Sequence, residues 1–186
     1  MNKRAEKTST IIQTTIQILR TEGAGGLTMR KVAKLSEIRL SNLQYYYKDK
    51  NALLEATIDD YFCKNKEEVV QSIANLPQDI VFTDLLQLIL EDALIDGNSS
   101  DRCAMFREIW ALATKMPKID ALVRSYYQQY NNWLCEQFAP SSQDPAMIVS
   151  LLMPYIEGYS LMGNALPVSK KKVIEGLIQM ILPYCD

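Results

Sequence analysis

Residues 27–54 read LTMRKVAKLSEIRLSNLQYYYKDKNALL, and this stretch contains two short helical patterns separated by a turn. Thr28 is a residue type that caps helix N-termini, and it precedes a helix predicted over Met29–Ser36. A second short helix is predicted from about Leu40 to Tyr47. The positions that can form an apolar seam between the two helices are Val32, Ala33, Ile38, Leu43 and Tyr47. A helix-turn-helix is built in this way, with a first helix that braces a second one whose polar face points outward.

The polar side chains of the second helix are left for a partner. Asn42 and Gln44 carry the amide pair that suits adenine. The full set of outward candidates is Arg39, Asn42, Gln44, Tyr45 and Tyr46, with Leu40 and Ser41 at the leading end. Each of these side chains could equally be an ordinary solvated surface residue, so the pattern alone predicts an available face.

Charge is divided unevenly along the chain. Residues 1–50 hold ten Lys or Arg and four Asp or Glu, a balance of +6, whereas residues 51–186 have a balance of −8. This asymmetry is typical of a polyanion-binding head on an acidic body, although a solvated basic face would produce it as well. Because the helix-turn-helix pattern lies in the same fifty residues, the sequence favours DNA.

The rest of the chain is helical in its periodicity. Residues Glu22–Gly26 end a first amphipathic helix, Asp49 can cap a long fourth helix that Pro77 closes, and Asp101 can cap a sixth. Turn-rich residues 96–100 and the break at 139–145 separate further helices, predicted over 119–138, over 147–162 with an interruption at Pro154, and over 170–183. The sequence therefore predicts an all-α protein of about nine helices.

Composition excludes several classes of protein. Histidine is absent from the 186 residues, which removes His-based triads and His-ligated metals, so neither an enzyme nor a cofactor is expected. The four cysteines, Cys63, Cys103, Cys135 and Cys185, are scattered and predict free, packed thiols without a metal site. No signal peptide is apparent and no apolar run approaches the ~18 residues that span a bilayer. The expected location is the cytoplasm, without a membrane partner.

The head resembles the TetR family of transcriptional repressors. The resemblance rests on Leu27-Thr28-x-Arg30-x-Val32-Ala33, on Leu43-x-Tyr45-Tyr46-Tyr47 and on Lys48-x-Lys50-x-x-Leu53-Leu54. It implies a helix-turn-helix DNA-binding domain over residues 1–50 and a helical regulatory and dimerisation domain over 51–186. It also implies that a small molecule releases the repressor from its operator.

The resemblance assigns roles to individual positions. It implies that Thr28, Tyr46 and Lys50 contact phosphates, that Arg30 reaches a guanine edge, and that Leu40 and Ser41 touch base edges. Three residues depart from the family pattern. Glu37 replaces the turn glycine, Arg39 replaces a Ser/Thr-type cap, and Gln44 replaces a common tyrosine. We expect strain at Glu37, whose carboxylate should face away from DNA, and no side-chain cap from Arg39.

For the body, the resemblance implies homodimerisation and an effector. The last two helices have wide apolar faces that could form a four-helix interface or seal the core of one subunit. Glu108 and Glu157 could meet a cationic ligand or face water. Aromatic and methionine side chains could line a ligand pocket, or belong to an ordinary core. The pocket candidates are Met105, Phe106, Trp110, Tyr126, Tyr130, Trp133 and Tyr155.

Two other functions fit the sequence. One is a TetR-like DNA-binding protein without a small-molecule inducer, controlled by a protein partner or acting as a fixed architectural dimer. The other is a small helical enzyme or carrier with a degenerate head.

Overall fold

The computed structural model describes residues 3–77, 80–95 and 101–185. Over these residues the chain forms nine α-helices and no strand, apart from one isolated bridge between Ser142 and Cys185. The helices are α1 (Lys3–Gly26), α2 (Met29–Leu35), α3 (Leu40–Tyr46), α4 (Lys50–Ala74), α5 (Phe82–Ala93), α6 (Asp101–Ala113), α7 (Pro117–Phe138), α8 (Pro145–Met162) and α9 (Lys170–Ile181). The prediction of an all-α fold is confirmed. The predicted turn at 96–100 lies outside the described residues.

Prolines account for the helix boundaries that differ from the predicted ones. Helix α7 begins at Pro117 and α8 at Pro145, two residues before their predicted starts, because proline is favoured in the first turn, where its missing N–H needs no partner. Asp144 caps α8 by accepting a hydrogen bond from the N–H of Met147 at 3.0 Å. The predicted interruption at Pro154 is wrong. This exposed proline lies inside a continuous α8, where one backbone hydrogen bond at most is lost.

The first helix ends differently from the prediction. Helical assignment extends to Gly26, yet Gly23 has φ 68° and ψ −178°, outside the helical region. Backbone of this kind is essentially confined to glycine. The run of glycines that predicted a simple stop therefore contains a break at Gly23, followed by one more helical turn.

The described residues fall into two compact units. Unit one consists of the residues up to Val69 together with Met105–Ser125, and unit two consists of Val70–Ala104 together with the residues from Tyr126 onward. Helices α4, α6 and α7 therefore contribute residues to both units. The boundary predicted at residues 50 and 51 divides the chain by function, and it stays a prediction.

Unit one has an aliphatic core that positions the two short helices. Its fully buried members include Ile11, Leu19, Leu43, Leu53 and Ile58. Two buried threonines satisfy their hydroxyls within their own helices. Thr15 donates to the carbonyl of Ile11 at 2.8 Å, and Thr57 donates to that of Leu53 at 2.7 Å.

Unit two has its own core, and the C-terminal residues are tied to it. The core draws on α5, α7, α8 and α9, with Leu86, Leu90, Phe138, Ile148 and Ile181 among its members. Ser142 donates to the carbonyl of Tyr184 at 2.6 Å, and Lys170 donates to the carbonyl of Glu91 at 2.6 Å. These bonds join the α7–α8 connection to the end of the chain, and the start of α9 to α5.

Candidate DNA-binding site

The first helix of the motif begins at the predicted cap. Thr28 has an extended backbone, and its hydroxyl accepts a hydrogen bond from the N–H of Lys31 at 3.2 Å. Val32 and Ala33 are buried, as predicted. Ser36 ends the helix, its N–H donating to the carbonyl of Val32 at 2.9 Å. Helix α2 is thus anchored by its apolar face, with the opposite face exposed.

The turn between the helices contains the strain expected at Glu37. Among the described residues, Glu37 is the one non-glycine residue with positive φ, at 54°. The N–H of Ile38 closes the turn by donating to the carbonyl of Ala33 at 3.0 Å. A side chain with a Cβ is disfavoured in this left-handed region, so the substitution of the family's glycine carries an energetic cost.

The start of α3 lacks a side-chain cap, as predicted. Arg39 stands at the cap position and makes no side-chain hydrogen bond to the free amides. Its backbone carbonyl accepts from the N–H groups of Asn42 and Leu43, at 2.9 and 3.1 Å. Leu43 is fully buried, so it fixes the orientation of the helix and leaves its polar face outward.

The predicted DNA-contacting side chains lie at the surface of this motif to different extents. Seven are exposed: Thr28, Arg30, Arg39, Ser41, Asn42, Gln44 and Tyr45. Three are half-buried: Leu40, Tyr46 and Lys50. Tyr45 is the most open, with 75% of its surface accessible, and its ring meets that of Tyr46 edge-on at 5.6 Å between centroids. Their contact with DNA stays a prediction.

Lys50 has an intramolecular partner that the sequence did not reveal. Its Nζ donates to the backbone carbonyl of Ala24 at 2.6 Å. The residues are 26 positions apart, so no local pattern signals the contact. At least one of the three ammonium hydrogens is thus engaged within the protein, and at most two remain for another acceptor.

The motif carries exposed positive charge that the protein does not neutralise. Within residues 3–77, 80–95 and 101–185, no ion pair or side-chain hydrogen bond involves Arg30, Lys34, Arg39 or Lys48. Two nearby acidic groups have other partners. Glu22 pairs with Lys31, and Asp49 accepts from the N–H of Ala52 at 2.8 Å, capping α4 as predicted. Lys34 and Lys48 are not among the predicted contacts, although Lys34 follows Arg30 by one helical turn.

Tyr47 closes the apolar seam at the end of α3. It is half-buried, and burial, followed by the nearby negative charge of Asp60 on α4, raises the pKa of its phenol. The phenol therefore stays neutral at physiological pH. This neutrality suits a residue that packs a helix against its neighbour.

Four of the predicted pocket residues lie in unit two. On α7, Tyr126 and Tyr130 stack with centroids 5.8 Å apart and planes at 5°, and Trp133 continues the stack at 5.8 Å from Tyr130. Burial raises the pKa of the Tyr130 phenol far above its ordinary value, and the neighbouring Tyr126 raises it further. Tyr155 on α8 packs, with Tyr130 and Trp133, against the core. Tyr126, Tyr130 and Trp133 thus form a stacked aromatic group, and Tyr155 packs against the same core.

Charged side chains surround this group. Asp92, Arg102 and Glu157 all act electrostatically on the Tyr130 phenol. Arg102 forms an ion pair with Asp92, with nitrogen to oxygen distances of 3.4 Å, and also donates to the Asp92 carbonyl at 3.2 Å. Asp92 thus compensates the positive charge at this site.

The other three pocket candidates belong to unit one. Met105 is fully buried, and Phe106 packs against Tyr61 and Phe62 with centroids 5.7 and 6.1 Å away. Trp110 is 43% exposed. Core packing accounts for Met105 and Phe106, and ligand contact stays a prediction for all three.

Cysteines and acidic residues form no metal-binding group in the described part of the chain. The four thiols there are free. Cys103 is buried and Cys135 and Cys185 are half-buried, but Cys63 is exposed on α4, so the expectation of packed thiols is wrong at that position.

A capped helix, a tight turn and a second helix with an open polar face define a helix-turn-helix protein of the DNA-binding class. The HTH-type transcriptional regulator in the dhlA 5′ region of Xanthobacter autotrophicus is 36% identical to this chain over 187 residues, covering 97% of this chain and 91% of that protein. This chain belongs to the TetR family of helix-turn-helix transcriptional regulators. No family model matches the chain.

Solved structures share the whole fold at low sequence identity. A TetR-family transcriptional regulator from Mesorhizobium loti superposes with a TM-score of 0.77 at 15% identity, over 100% of both chains. A transcriptional regulator from Saccharomonospora viridis, solved in complex with choline, has a TM-score of 0.76 at 15% identity over 98% of this chain and 99% of its own. These neighbours establish the all-α architecture from the head to the C-terminal helices.

Proposed function

We propose that this transcriptional regulator is a repressor that binds operator DNA as a homodimer in the cytoplasm and is released by a small-molecule effector. The observation that carries DNA recognition is the set of exposed, uncompensated cations on α2 and at both ends of α3, namely Arg30, Lys34, Arg39 and Lys48. Phosphates that replace their counterions would supply the sequence-independent part of the affinity. Arg30, Asn42 and Gln44 have the donors and acceptors to read base edges.

Homodimerisation is supported by the outward face of α8. Its side chains at helical spacing are apolar or small, and they comprise Met147, Leu151, Pro154, Gly158, Leu161 and Met162. Leu161 and Met162 are more than half exposed, and a Cβ on Gly158 would meet open space. On α9, Gly176 is equally open and Met180 is exposed. Small residues permit the close approach of helices, and large apolar side chains beside them stabilise the contact when they are buried. A second copy of the chain would therefore complete a four-helix interface made of α8 and α9 from each subunit.

By length and composition the same helix could span a membrane, contrary to the expectation that no apolar run was long enough. Residues Pro145–Ala165 reach a mean hydropathy of 1.2, and 33% of that window is buried. Glu157 lies within it, and a carboxylate in hydrocarbon is costly. An exposed apolar helix also fits an interface between subunits, and we propose that role for it.

An organic cation is the effector class that the aromatic group favours. The faces of Tyr and Trp rings attract quaternary ammonium groups, and Glu157 adds a negative charge nearby. The choline complex of the Saccharomonospora regulator provides a precedent within this fold. An effector would act by binding better to the conformation whose two heads are wrongly spaced for half-sites about 34–36 Å apart.

A mobility shift tests the DNA-binding part. The probes are the promoter region beside the coding sequence and a duplex selected by the protein from a random pool. We expect saturable binding whose log affinity falls linearly with log salt. Joint substitution of Arg30→Ala and Tyr46→Ala should abolish it, while Lys171→Ala, an exposed cation on α9, should not. Unchanged binding by the double variant would refute the assigned site, and failure to select any duplex would refute the function.

Choline tests the effector part. We expect millimolar choline to quench tryptophan fluorescence and to weaken operator binding. Trp133→Phe should remove the fluorescence response, whereas Trp110→Phe should preserve it, because Trp133 is the tryptophan that stacks in the aromatic group. Choline without effect on either signal would exclude it as the effector and favour a regulator controlled by a protein partner or acting as a fixed dimer.

A further inference from the structure

The segment after the regular part of α1 has a backbone break that faces a carboxylate. Gly23 adopts φ 68° and ψ −178°, which turns the N–H of Ala24 away from the helical ladder. That N–H donates to Oε1 of Glu108 on α6 at 2.6 Å. The two residues are 84 positions apart, and the bond is partly buried. A hydrogen bond to a charged carboxylate in such a place is stronger than a neutral one.

Glu108 also lies directly against Gly23. A Cβ built on Gly23 would come within 3.2 and 3.3 Å of the two carboxylate oxygens. The break therefore requires glycine for its backbone conformation, and a Cβ at this position would in addition crowd the Glu108 carboxylate. An ordinary helix end needs neither this backbone conformation nor a carboxylate packed against it, so Gly23 and Glu108 form a specific contact between α1 and α6.

The other side of the same residue is held by α4. Lys50, the first residue of α4, donates its Nζ to the carbonyl of Ala24 at 2.6 Å. Ala24 is thus hydrogen-bonded through its N–H to Glu108 of α6 and through its C=O to Lys50 of α4. Helix α2 begins at Met29, shortly after Ala24, and Lys31 of α2 forms an ion pair with Glu22 of α1. We call Glu108, Lys50 and Ala24 the Ala24 clamp.

We propose that the Ala24 clamp sets the orientation of α2 and α3, the two helices of the helix-turn-helix, relative to α4 and α6. Glu108 is the positioning residue that connects α6 to this motif. Helix α6 is suited to this task. Its second residue, Arg102, forms the ion pair with Asp92 in the charged surroundings of the aromatic group, and Glu108 follows within the same thirteen-residue helix.

This inference rests on the proposed function, because its readout is operator affinity. Variants of Glu108 separate the effect of side-chain length from the effect of its negative charge. Glu108→Asp keeps the charge but is one methylene too short for Ala24, Glu108→Gln keeps the length and an acceptor oxygen, and Glu108→Ala removes both. Glu67→Ala, which removes an exposed carboxylate on α4, is the matched control.

We measure affinity for the selected duplex at several salt concentrations, together with the melting temperature and mass of each variant. Glu108→Ala and Glu108→Asp should weaken binding about tenfold or more, the scale of one lost charge-assisted hydrogen bond. Glu108→Gln, which keeps a neutral hydrogen bond of the same reach, should lose less affinity than Glu108→Ala or Glu108→Asp. The slope of log affinity against log salt should not change, because Glu108 touches no phosphate.

A second measurement keeps the test decisive if Glu108→Ala fails to fold. Hydrogen exchange of the Ala24 amide should be faster in Glu108→Asp than in the wild type and in Glu108→Gln. Folded Asp and Ala variants that bind as tightly as the wild type, or an equal loss in Glu67→Ala, would overturn the clamp. A wild-type protein that selects no duplex would instead count against the proposed function, so the two failures are distinguishable.

Discussion

The hydroxyl of Thr28 accepts a hydrogen bond from the backbone N–H of Lys31 at 3.2 Å, and it is exposed at the surface of the reading head. One side chain thus stabilises the start of α2 and remains available to donate to a phosphate. Thr28→Asp separates the two roles, because aspartate also caps a helix but repels phosphate. We expect an unchanged melting temperature and a large loss of operator affinity. Thr28→Ala should cost about 1 kcal/mol of stability. An Asp variant that binds DNA normally would exclude Thr28 from the interface.

Replacement of Glu37 by glycine should stabilise the protein. Its φ of 54° penalises any residue with a Cβ, and glycine would remove that penalty at the expense of a more flexible unfolded chain. We expect the free energy of unfolding to rise by roughly 0.5–1 kcal/mol in urea titrations. Glu37→Gln removes the charge without relieving the backbone, so it should leave stability unchanged. A gain in the Gln variant equal to that in the Gly variant would assign the effect to charge.

Arginine at position 30 should matter for sequence discrimination as well as for charge. Arg30→Lys retains the cation but loses the bidentate fork that reads guanine. We expect operator affinity to fall by about 1–3 kcal/mol while affinity for unrelated DNA stays nearly constant. The comparison of competitor duplexes in a mobility shift measures this ratio. An equal loss on both DNAs would place Arg30 at a phosphate instead.

Charge on the outer face of α8 should break the dimer. Leu161 is 63% exposed, and Leu161→Glu would bury a carboxylate in the proposed interface, where desolvation is unfavourable. Light scattering should then report the 21.2 kDa monomer in place of twice that mass, with weaker operator binding. Leu88→Glu, at an exposed leucine on α5, is the matched control and should remain dimeric. Monomer formation by both variants would argue against a specific interface on α8.

Cys63 should react slowly with maleimide despite its exposure. Partial desolvation of the thiol, followed by the negative charge of Asp59, raises the pKa of Cys63 above its ordinary value. A raised pKa leaves less thiolate near neutral pH, and the thiolate is the nucleophile. We expect slower labelling at about pH 7.5 than for the same cysteine in the denatured chain, with the difference shrinking as pH rises through the folded-state pKa. Cys63→Ser identifies the signal, and equal rates in folded and denatured chains would contradict the shift.

Local chemistry was sufficient to predict the helix-turn-helix. Thr28 caps α2, Leu43 is buried, Glu37 is strained and Arg39 provides no cap, all as the residue types and spacings indicated. These features depend on neighbours within a few residues of each other. The wrong predictions for the starts of α7 and α8 and for an interruption at Pro154 all involve proline. Whether a helix tolerates proline depends on whether the missing N–H would have formed a hydrogen bond in the folded chain.

The sequence by itself therefore determined the all-helical fold, the basic reading head and the departures of its turn, because caps, period and φ preferences act over one or two helical turns. Only the tertiary structure decided what the Glu22–Gly26 segment does. Ala24 meets Lys50 at 26 positions' distance and Glu108 at 84, and a contact between residues so far apart leaves no periodic pattern in the chain. Only the folded chain brings these two charged side chains to one residue, so a run of glycines that looked like a helix end is hydrogen-bonded to both α4 and α6.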